Sequence, residues 1–287
     1  MVGNQTIQGP VTIGYTPEGL RALTADRDKL TELKVRLGVT EQALRTFFAI
    51  LEQEVPAEQW PVRLGEIAER HKQALERLAA LETQDSAAQA LIGKARTAIK
   101  AGDHGRAKEL LDRAEQQELA GIQAAQAAVE QRQLSAAAVR AEQAELSLIQ
   151  LHYRQAAERF AAAAKLVPAS KPEQRLAYRE RHADALDRQG DEKGDNGALE
   201  AAIRAYRDLL GAYPRAQAPQ DWAGTQNNLG FALWRLGERE SGTARLEAAH
   251  RHIEDTWCVV KDAGMEQYDE AFRQRLAAID QLIAERR

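Results

Sequence analysis

The sequence LEAA at residues 199–202 recurs as LEAA at residues 246–249, and the flanking sequence aligns at this 47-residue offset without a gap. Gly190 falls on Gly237 in the same register. Self-similarity at a fixed period predicts structural units that stack on their neighbours. The segment 178–260 is therefore expected to contain two copies of one unit.

The composition of the chain predicts an all-α fold. Its 287 residues are 44% hydrophobic and only 5% aromatic, with 8 prolines. Ala, Leu, Glu, Gln and Arg dominate, and these residues have high helix propensity. A length of 287 residues is compatible with two ordinary domains or with one elongated array.

Charge and hydropathy narrow the partners that we expect. The formal net charge is −4, from 39 basic and 43 acidic residues that are interspersed, which disfavours a nucleic-acid partner. No apolar run has the length of a membrane span, and the first residues lack the features of a secretory signal. The single cysteine, Cys258, excludes an intramolecular disulfide and is expected to be buried as a small apolar residue. These features predict a cytoplasmic protein.

Residues 1–15 differ from the rest of the chain because they are β-branched and rich in turn residues. Two short strands around Gly9-Pro10 are predicted. One interpretation is a disordered tail; the other is a β-prone arm that pairs with copies of itself or with a partner. Over about ten residues the arm loosely resembles bacterial amyloid-signalling motifs and RHIM-like motifs.

Residues 16–82 are predicted to form a region of three helices, with Gly38 ending the first helix and Pro56 the second. The first helix carries leucines at heptad spacing. Packing on the next helix explains this stripe, and self-association explains it as well. Residues 1–37 are therefore a candidate contact for a homo-oligomer.

Paired helices are predicted from residue 84 to residue 264, followed by a capping helix in residues 265–287. The first pair is expected at Ala87–Ala101 and around Ala107–Ala114. A long helix is expected from about Leu119 to Gln150, with a possible break near Leu134-Ser135.

A recurring signature of small, aromatic and proline residues lies in this array. It reads Ala156, Phe160, Ala163, Pro168 and returns as Ala202, Tyr206, Leu209, Pro214. A less complete copy reads Ala107, Leu111, Ala114, and the last unit has Ala249 and Ile253 with Thr256 and Lys261 at the later positions. The first-helix pattern is clearest in the segment 228–237.

This pattern resembles the tetratricopeptide repeat, and in particular the longer, kinesin-light-chain-like repeats of bacteria. The resemblance covers roughly residues 87–260. It implies a right-handed α-solenoid of helix pairs with an N-terminal helical region. In such arrays, small residues let the two helices approach closely, and aromatic residues fill the gap to the neighbouring unit.

No arrangement of residues predicts catalysis. The six histidines include no pair at i, i+4 spacing, and neither a phosphate-binding loop nor a dinucleotide motif is present. We therefore expect no catalytic residue, no metal site and no cofactor, and we do not expect an enzyme.

The resemblance implies that first helices line a concave face that binds an extended peptide or a helix. The residues at face-lining positions are Asn227, Asn228, Phe231, Trp234, Arg235, Arg181, Asp184 and Arg188. Amides can hold a peptide backbone, arginines can pair with carboxylates, and aromatic rings can anchor a partner. Packing against the next helix is the alternative for both Phe231 and Trp234.

Two functions follow as hypotheses. The first is a non-enzymatic scaffold that binds a protein or peptide partner on the concave face. The second is a homotypic assembly or signalling module, in which residues 1–15 drive assembly and the repeats act as the sensor. Deletion of residues 1–15 distinguishes them, because only the second function depends on that segment.

Overall fold

A computed structural model describes residues 16–23 and 27–287. Every regular element among these residues is helical, which confirms the all-α prediction for the described part of the chain. The predicted strands of residues 1–15 lie outside the described residues.

The twelve helices of the described residues are α1 Pro17–Leu23, α2 Arg27–Leu37, α3 Glu41–Glu54, α4 Trp60–Ala80, α5 Ser86–Lys100, α6 His104–Ile149, α7 Tyr153–Leu166, α8 Pro172–Lys193, α9 Asn196–Leu210, α10 Pro219–Arg239, α11 Ala244–Asp262 and α12 Asp269–Glu285. Short 3-10 turns, Ala57–Gln59 and Glu266–Tyr268, precede α4 and α12. The helix predicted to begin near residue 17 corresponds to α1 and α2, and residues 24–26 lie outside the described residues.

The chain divides into two compact units, and the division falls inside α6 between Gln126 and Ala127. In the first unit, α1 to α4 bury a core that includes Leu33, Phe47 and Leu64. The side chain of Thr40 accepts a hydrogen bond from the backbone N–H of Ala43 and so caps α3, as its position before the apolar stripe predicts.

The long helix α6 corrects the predicted helix pairs of this region. A boundary before Leu119 and a break near Leu134-Ser135 were both wrong, because α6 is continuous over 46 residues. The stretch lacks proline and is rich in helix formers, and the Ser135 hydroxyl donates to the Gln131 carbonyl within the helix, at 3.0 Å. The partial signature at Ala107 and Ala114 therefore lies in the first part of a single helix.

The second unit confirms the 47-residue register. Helices α7 to α12 pack in sequence, each against the next. Helices α8 and α10 begin at Pro172 and Pro219, positions that correspond at this offset. A Cβ at Gly190 would lie 2.4 Å from Cγ of Leu199, and one at Gly237 would lie 2.9 Å from Cδ2 of Leu246. Both glycines are therefore needed for close approach of the two helices in each copy.

Small and aromatic residues of the signature occupy the predicted interior. Ala202 and Ala249 are completely buried, and Phe160 and Tyr206 are almost so. A Cβ at Gly230 would come within 2.7 Å of Cγ1 of Ile253 on α11. These observations confirm that the signature describes helix-to-helix packing in this unit.

A third copy of the first helix, which the sequence pattern did not predict, extends to the last residues. Arg239 donates to the carbonyls of Gly190 and Asp191, at 2.8 and 3.2 Å. Arg286 donates to the carbonyls of Gly237 and Glu238, at 2.6 and 3.1 Å. Each residue of the second group lies 47 positions after its counterpart in the first. Helix α12 is therefore the equivalent of α8 and α10.

The exposed side of α12 differs from its two equivalents. Asp280 occupies the position of Leu186 and Leu233, and it is exposed whereas Leu233 is buried. The Oδ1 atom of Asp280 lies 3.4 Å from Nε2 of His250 on α11, so this position is polar in α12 and apolar in its two equivalents. The capping role of residues 265–287 stays a prediction.

Candidate functional site

Helices α8 and α10 carry the residues predicted to line the binding face. Arg181, Asp184 and Arg188 lie on α8, while the other five lie on α10 at positions 227–235. The two helices contact each other directly. The 47-residue stacking therefore brings side chains from the two copies together on one surface of the second unit, which we call the α8–α10 face.

A cavity of about 560 Å³ lies on the α8–α10 face. The polar and charged side chains that line it are Glu145, Arg181, Asp184, Asp187, Arg188, Tyr206 and Asn228. Four of the predicted residues thus share one cavity. Its lining mixes positive and negative groups, which suits a polar ligand with both donors and acceptors.

Asp184 is the centre of a hydrogen-bond network that joins three helices. Its Oδ1 atom accepts from the Tyr206 hydroxyl at 2.8 Å and from Nδ2 of Asn228 at 3.4 Å. Burial raises the pKa of the Asp184 carboxyl, although the hydrogen bond from Tyr206 acts in the opposite direction. Burial, together with the nearby carboxylates, raises the pKa of Tyr206, so this hydroxyl remains a donor.

Asp187 and Arg235 connect the two copies by a half-buried ion pair. Nη1 of Arg235 lies 2.7 Å from Oδ2 of Asp187, and Nε lies 3.0 Å from Oδ2 of Asp191. Burial raises the pKa of Asp187 to about 6, even though Arg235 favours the charged form. Among the described residues, the buried Oδ1 atom of Asp187 has no hydrogen-bond partner. The desolvation of this carboxylate is thus only partly compensated.

Two arginines form the exposed rim of the cavity. Arg181 is ion-paired with Glu145, and its guanidinium lies 5.5 Å from the centre of the Phe160 ring. Nε of Arg188 lies 3.1 Å from Oε1 of Glu192. Exposed ion pairs of this kind contribute little stability, so an incoming partner can replace them at small cost.

The aromatic pair on α10 is divided between core and surface. The rings of Phe231 and Trp234 are stacked, with centroids 6.1 Å apart. Trp234 packs against the buried core of the second unit, and its buried indole N–H has no hydrogen-bond partner within the described ranges. Phe231 is half-buried, with the guanidinium groups of Arg275 and Arg235 at 5.0 and 5.7 Å from its ring centre. Both side chains are partly buried, and only Trp234 contacts the buried core cluster.

Asn227 lies apart from Asn228, although both were predicted on the same face. Asn227 lines a second cavity, of about 500 Å³, between α10, α11 and α12. Consecutive helix residues point about 100° apart, so the two amides cannot hold one peptide backbone side by side.

Tyr206 and Glu145 are site residues that the sequence pattern missed. Tyr206 was assigned only to packing, yet its hydroxyl reaches Asp184. Glu145 lies on α6, in a stretch to which no position of the repeat signature was assigned. Its distance of 36 residues from Arg181 gives no local signal of contact.

Cys258 corrects a second prediction. It is exposed, not buried, because α11 turns Thr256 and Val259 toward the interior and Cys258 outward. No cluster of three or more potential metal ligands occurs in the part of the chain that the structure describes. Across residues 16–23 and 27–287, no helix combines the length and apolar character of a membrane span.

Comparison with protein-family models, with curated proteins and with solved structures gave no match for this chain. The resemblance to tetratricopeptide repeats therefore stays a prediction.

Proposed function

We propose that this protein is a non-enzymatic interaction scaffold that binds an extended peptide segment of a protein partner on the α8–α10 face. We also propose that its second unit is a tetratricopeptide-like right-handed array. The observation that carries the proposal is the cavity in which Arg181, Asp184, Arg188 and Asn228 meet, since these side chains come from two stacked copies.

The chemistry of the cavity favours an extended peptide over an amphipathic helix. A helix that docks in a groove needs a continuous apolar surface. Here charged and polar side chains dominate the lining, and neither Phe231 nor Trp234 of α10 lines the cavity. An extended peptide presents backbone N–H and C=O groups, which match the carboxylates and arginines of this surface.

The buried carboxylates of the cavity indicate that the partner supplies hydrogen-bond donors. Asp187 has one buried carboxylate oxygen that lacks a partner among the described residues, and Asp184 accepts one of its hydrogen bonds at 3.4 Å. Donors on the partner, either backbone N–H groups or a basic side chain, would compensate these acceptors. Arg181 and Arg188 at the rim would receive carbonyls or carboxylates of the same segment.

The experiment begins with selection of peptides from a random library displayed on phage, using the immobilised full chain. The affinity of each selected peptide is then measured by fluorescence polarisation. The double variant R181A/N228A is expected to weaken binding by about tenfold or more. Both side chains are at least partly exposed, so we expect the variant to fold, and circular dichroism checks this.

The matched control is R204A/R251A, which removes two exposed arginines from the second helices α9 and α11. It is expected to bind the selected peptides like the original protein. If no peptide is enriched, or if both double variants bind equally well, the α8–α10 face is not the binding site.

A further inference from the structure

A positively charged cavity of the second unit shares no lining residue with the cavity on the α8–α10 face. Its volume is about 560 Å³, and residues of α7, α8 and α9 line it. The charged side chains of the lining are Lys165, Arg175, Arg179 and Asp208. Three cations therefore accompany one carboxylate, although the formal net charge of the whole chain is −4. We call this the α7–α9 cavity.

The three cations of the α7–α9 cavity lack carboxylate partners. Lys165, Arg175 and Arg179 form no ion pair within residues 16–23 and 27–287. Arg175 donates to a carbonyl instead, that of Val167, at 3.2 Å. No acidic residue lies three or four positions from any of the three cations, where a helix brings a partner close. Arg175 and Arg179 are partly buried and four residues apart, so two like charges share one face of α8 without compensation.

The repeat itself does not require this positive charge. In the next copy, at the 47-residue offset, the residues that correspond to the three cations are neutral, namely Ala212, Trp222 and Gln226. Gln226 is buried, and its Oε1 atom contacts Nδ1 of His252. Helix α10 thus packs on its neighbours with neutral residues at the positions of the two arginines. The charges of the α7–α9 cavity are therefore specific to the first copy.

The rest of the lining is mainly apolar. Besides His182, whose Nδ1–H donates to the Ala157 carbonyl at 2.8 Å, it consists of Ala161, Ala164, Val167 and Ala205. Cavities of about 300–1,000 Å³ that combine apolar walls with a few polar groups are typical of small-molecule sites. A ligand with an apolar part and an anionic group therefore fits this lining better than an inorganic anion does.

We propose that the α7–α9 cavity binds a small organic phosphate, whose phosphate monoester group contacts Lys165, Arg175 and Arg179. Such a group carries a charge of about −1.5 to −2 at neutral pH, which matches an excess of two positive charges better than a single carboxylate does. Guanidinium groups bind phosphate oxygens through paired hydrogen bonds. Asp208 is exposed, so water and salt screen its repulsion of the phosphate.

This proposal is independent of the proposed peptide binding. Arg179 and Arg181 are two positions apart on α8, which places their side chains about 200° apart around the helix axis. The organic phosphate therefore approaches a different side of α8 from the peptide, and either proposal can fail without the other.

The test is isothermal titration calorimetry of the full chain with phenyl phosphate, at low salt and in a buffer without phosphate. The original protein is expected to bind with a dissociation constant below about 1 mM, and K165A/R179A is expected to raise this constant by at least about tenfold. Lys165 is exposed, and Arg179 has no hydrogen bond or ion pair among the described residues. We therefore expect the variant to fold, and circular dichroism checks this.

The matched control is again R204A/R251A, which removes the same number of positive charges from exposed positions outside the cavity. It is expected to bind phenyl phosphate like the original protein. No saturable binding at about 1 mM phenyl phosphate, or equal weakening by the two double variants, overturns the proposal.

The chemistry of the ligand is tested on the original protein, so this test does not depend on the folding of a variant. Phenyl sulfate keeps the ring but carries a single negative charge, and inorganic phosphate lacks the ring. Each is expected to bind at least about threefold more weakly than phenyl phosphate. Equal affinity for phenyl sulfate would overturn the assignment to a phosphate group, and equal affinity for inorganic phosphate would overturn the assignment to an organic ligand.

Discussion

The replacement of Arg286 by alanine tests whether α12 is a third copy of the repeated helix. The Arg286 guanidinium donates to four carbonyls at the end of α10, those of Gly237, Glu238, Glu240 and Gly242, at 2.6 to 3.2 Å. The carbonyls at a helix C-terminus have no partner within the helix. The variant R286A therefore leaves several acceptors that only water can satisfy.

The expected loss follows from these contacts. A hydrogen bond that involves a charged group contributes about 1.5–3 kcal/mol, but this side chain is half-buried and water can replace part of its interactions. We therefore expect R286A to lower the free energy of unfolding of the second unit by about 1–3 kcal/mol. The control R287A removes a more exposed arginine with one ion pair, to Glu247 at 3.0 Å, and should cause no measurable change.

Urea unfolding followed by tryptophan fluorescence measures the effect. Three of the four tryptophans, Trp222, Trp234 and Trp257, lie in the second unit, so the signal reports mainly on it. If R286A is no more destabilising than R287A, Arg286 does not hold the end of α10, and α12 is not a third copy of the repeated helix.

Three further predictions concern other contacts of the second unit. The variant G190A should destabilise by about 1–3 kcal/mol through overlap with Leu199, whereas G224A, which meets no atom within 4 Å, should be neutral or stabilising by up to about 1 kcal/mol in urea unfolding; equal effects would contradict the close approach. Because the pKa of Asp187 is raised to about 6 in the folded state, its contribution to stability is present at low pH and is lost as pH rises from about 4 to 6. The stability of the original protein relative to D187N should therefore fall over this range by at most about 3 kcal/mol, and a flat difference would refute the raised pKa. Cys258 should react with a soluble thiol reagent without unfolding, and protection comparable to that of a buried thiol would contradict its exposure.

Much of the fold of the second unit could be predicted because its helices carry strong local signals. Pro172 and Pro219 mark helix starts, and the 47-residue offset fixes which positions correspond. The third copy was missed because many of its residue types differ from those of the first two copies, although its packing is equivalent. Leu229 is retained as Leu276, but Gly230 became Ala277, so the match rests on burial and on Arg286.

The continuity of α6 was missed for a different physical reason. Alanine-rich sequence without proline favours a helix but gives no signal of where that helix ends. The expectation of paired helices therefore placed a boundary near Leu119 that the residues themselves do not require.

The candidate site could be predicted only in part. Helical periodicity predicts which residues share one face of α8 or α10. Arg181, Asp184 and Arg188 were therefore correctly placed on one helix. The contact of Tyr206 with Asp184 depends on how α9 packs against α8, which no local pattern records. Whether Trp234 faces the core likewise depends on neighbouring helices.

Hydrogen–deuterium exchange of the full chain, with and without a selected peptide, tests the proposed binding face most directly. Bound peptide is expected to slow exchange in residues 181–188 of α8 and 227–235 of α10, with little change in the exposed parts of α9 and α11. Protection confined to α9 and α11, or to residues before 127, would contradict the proposal that the α8–α10 face binds the partner.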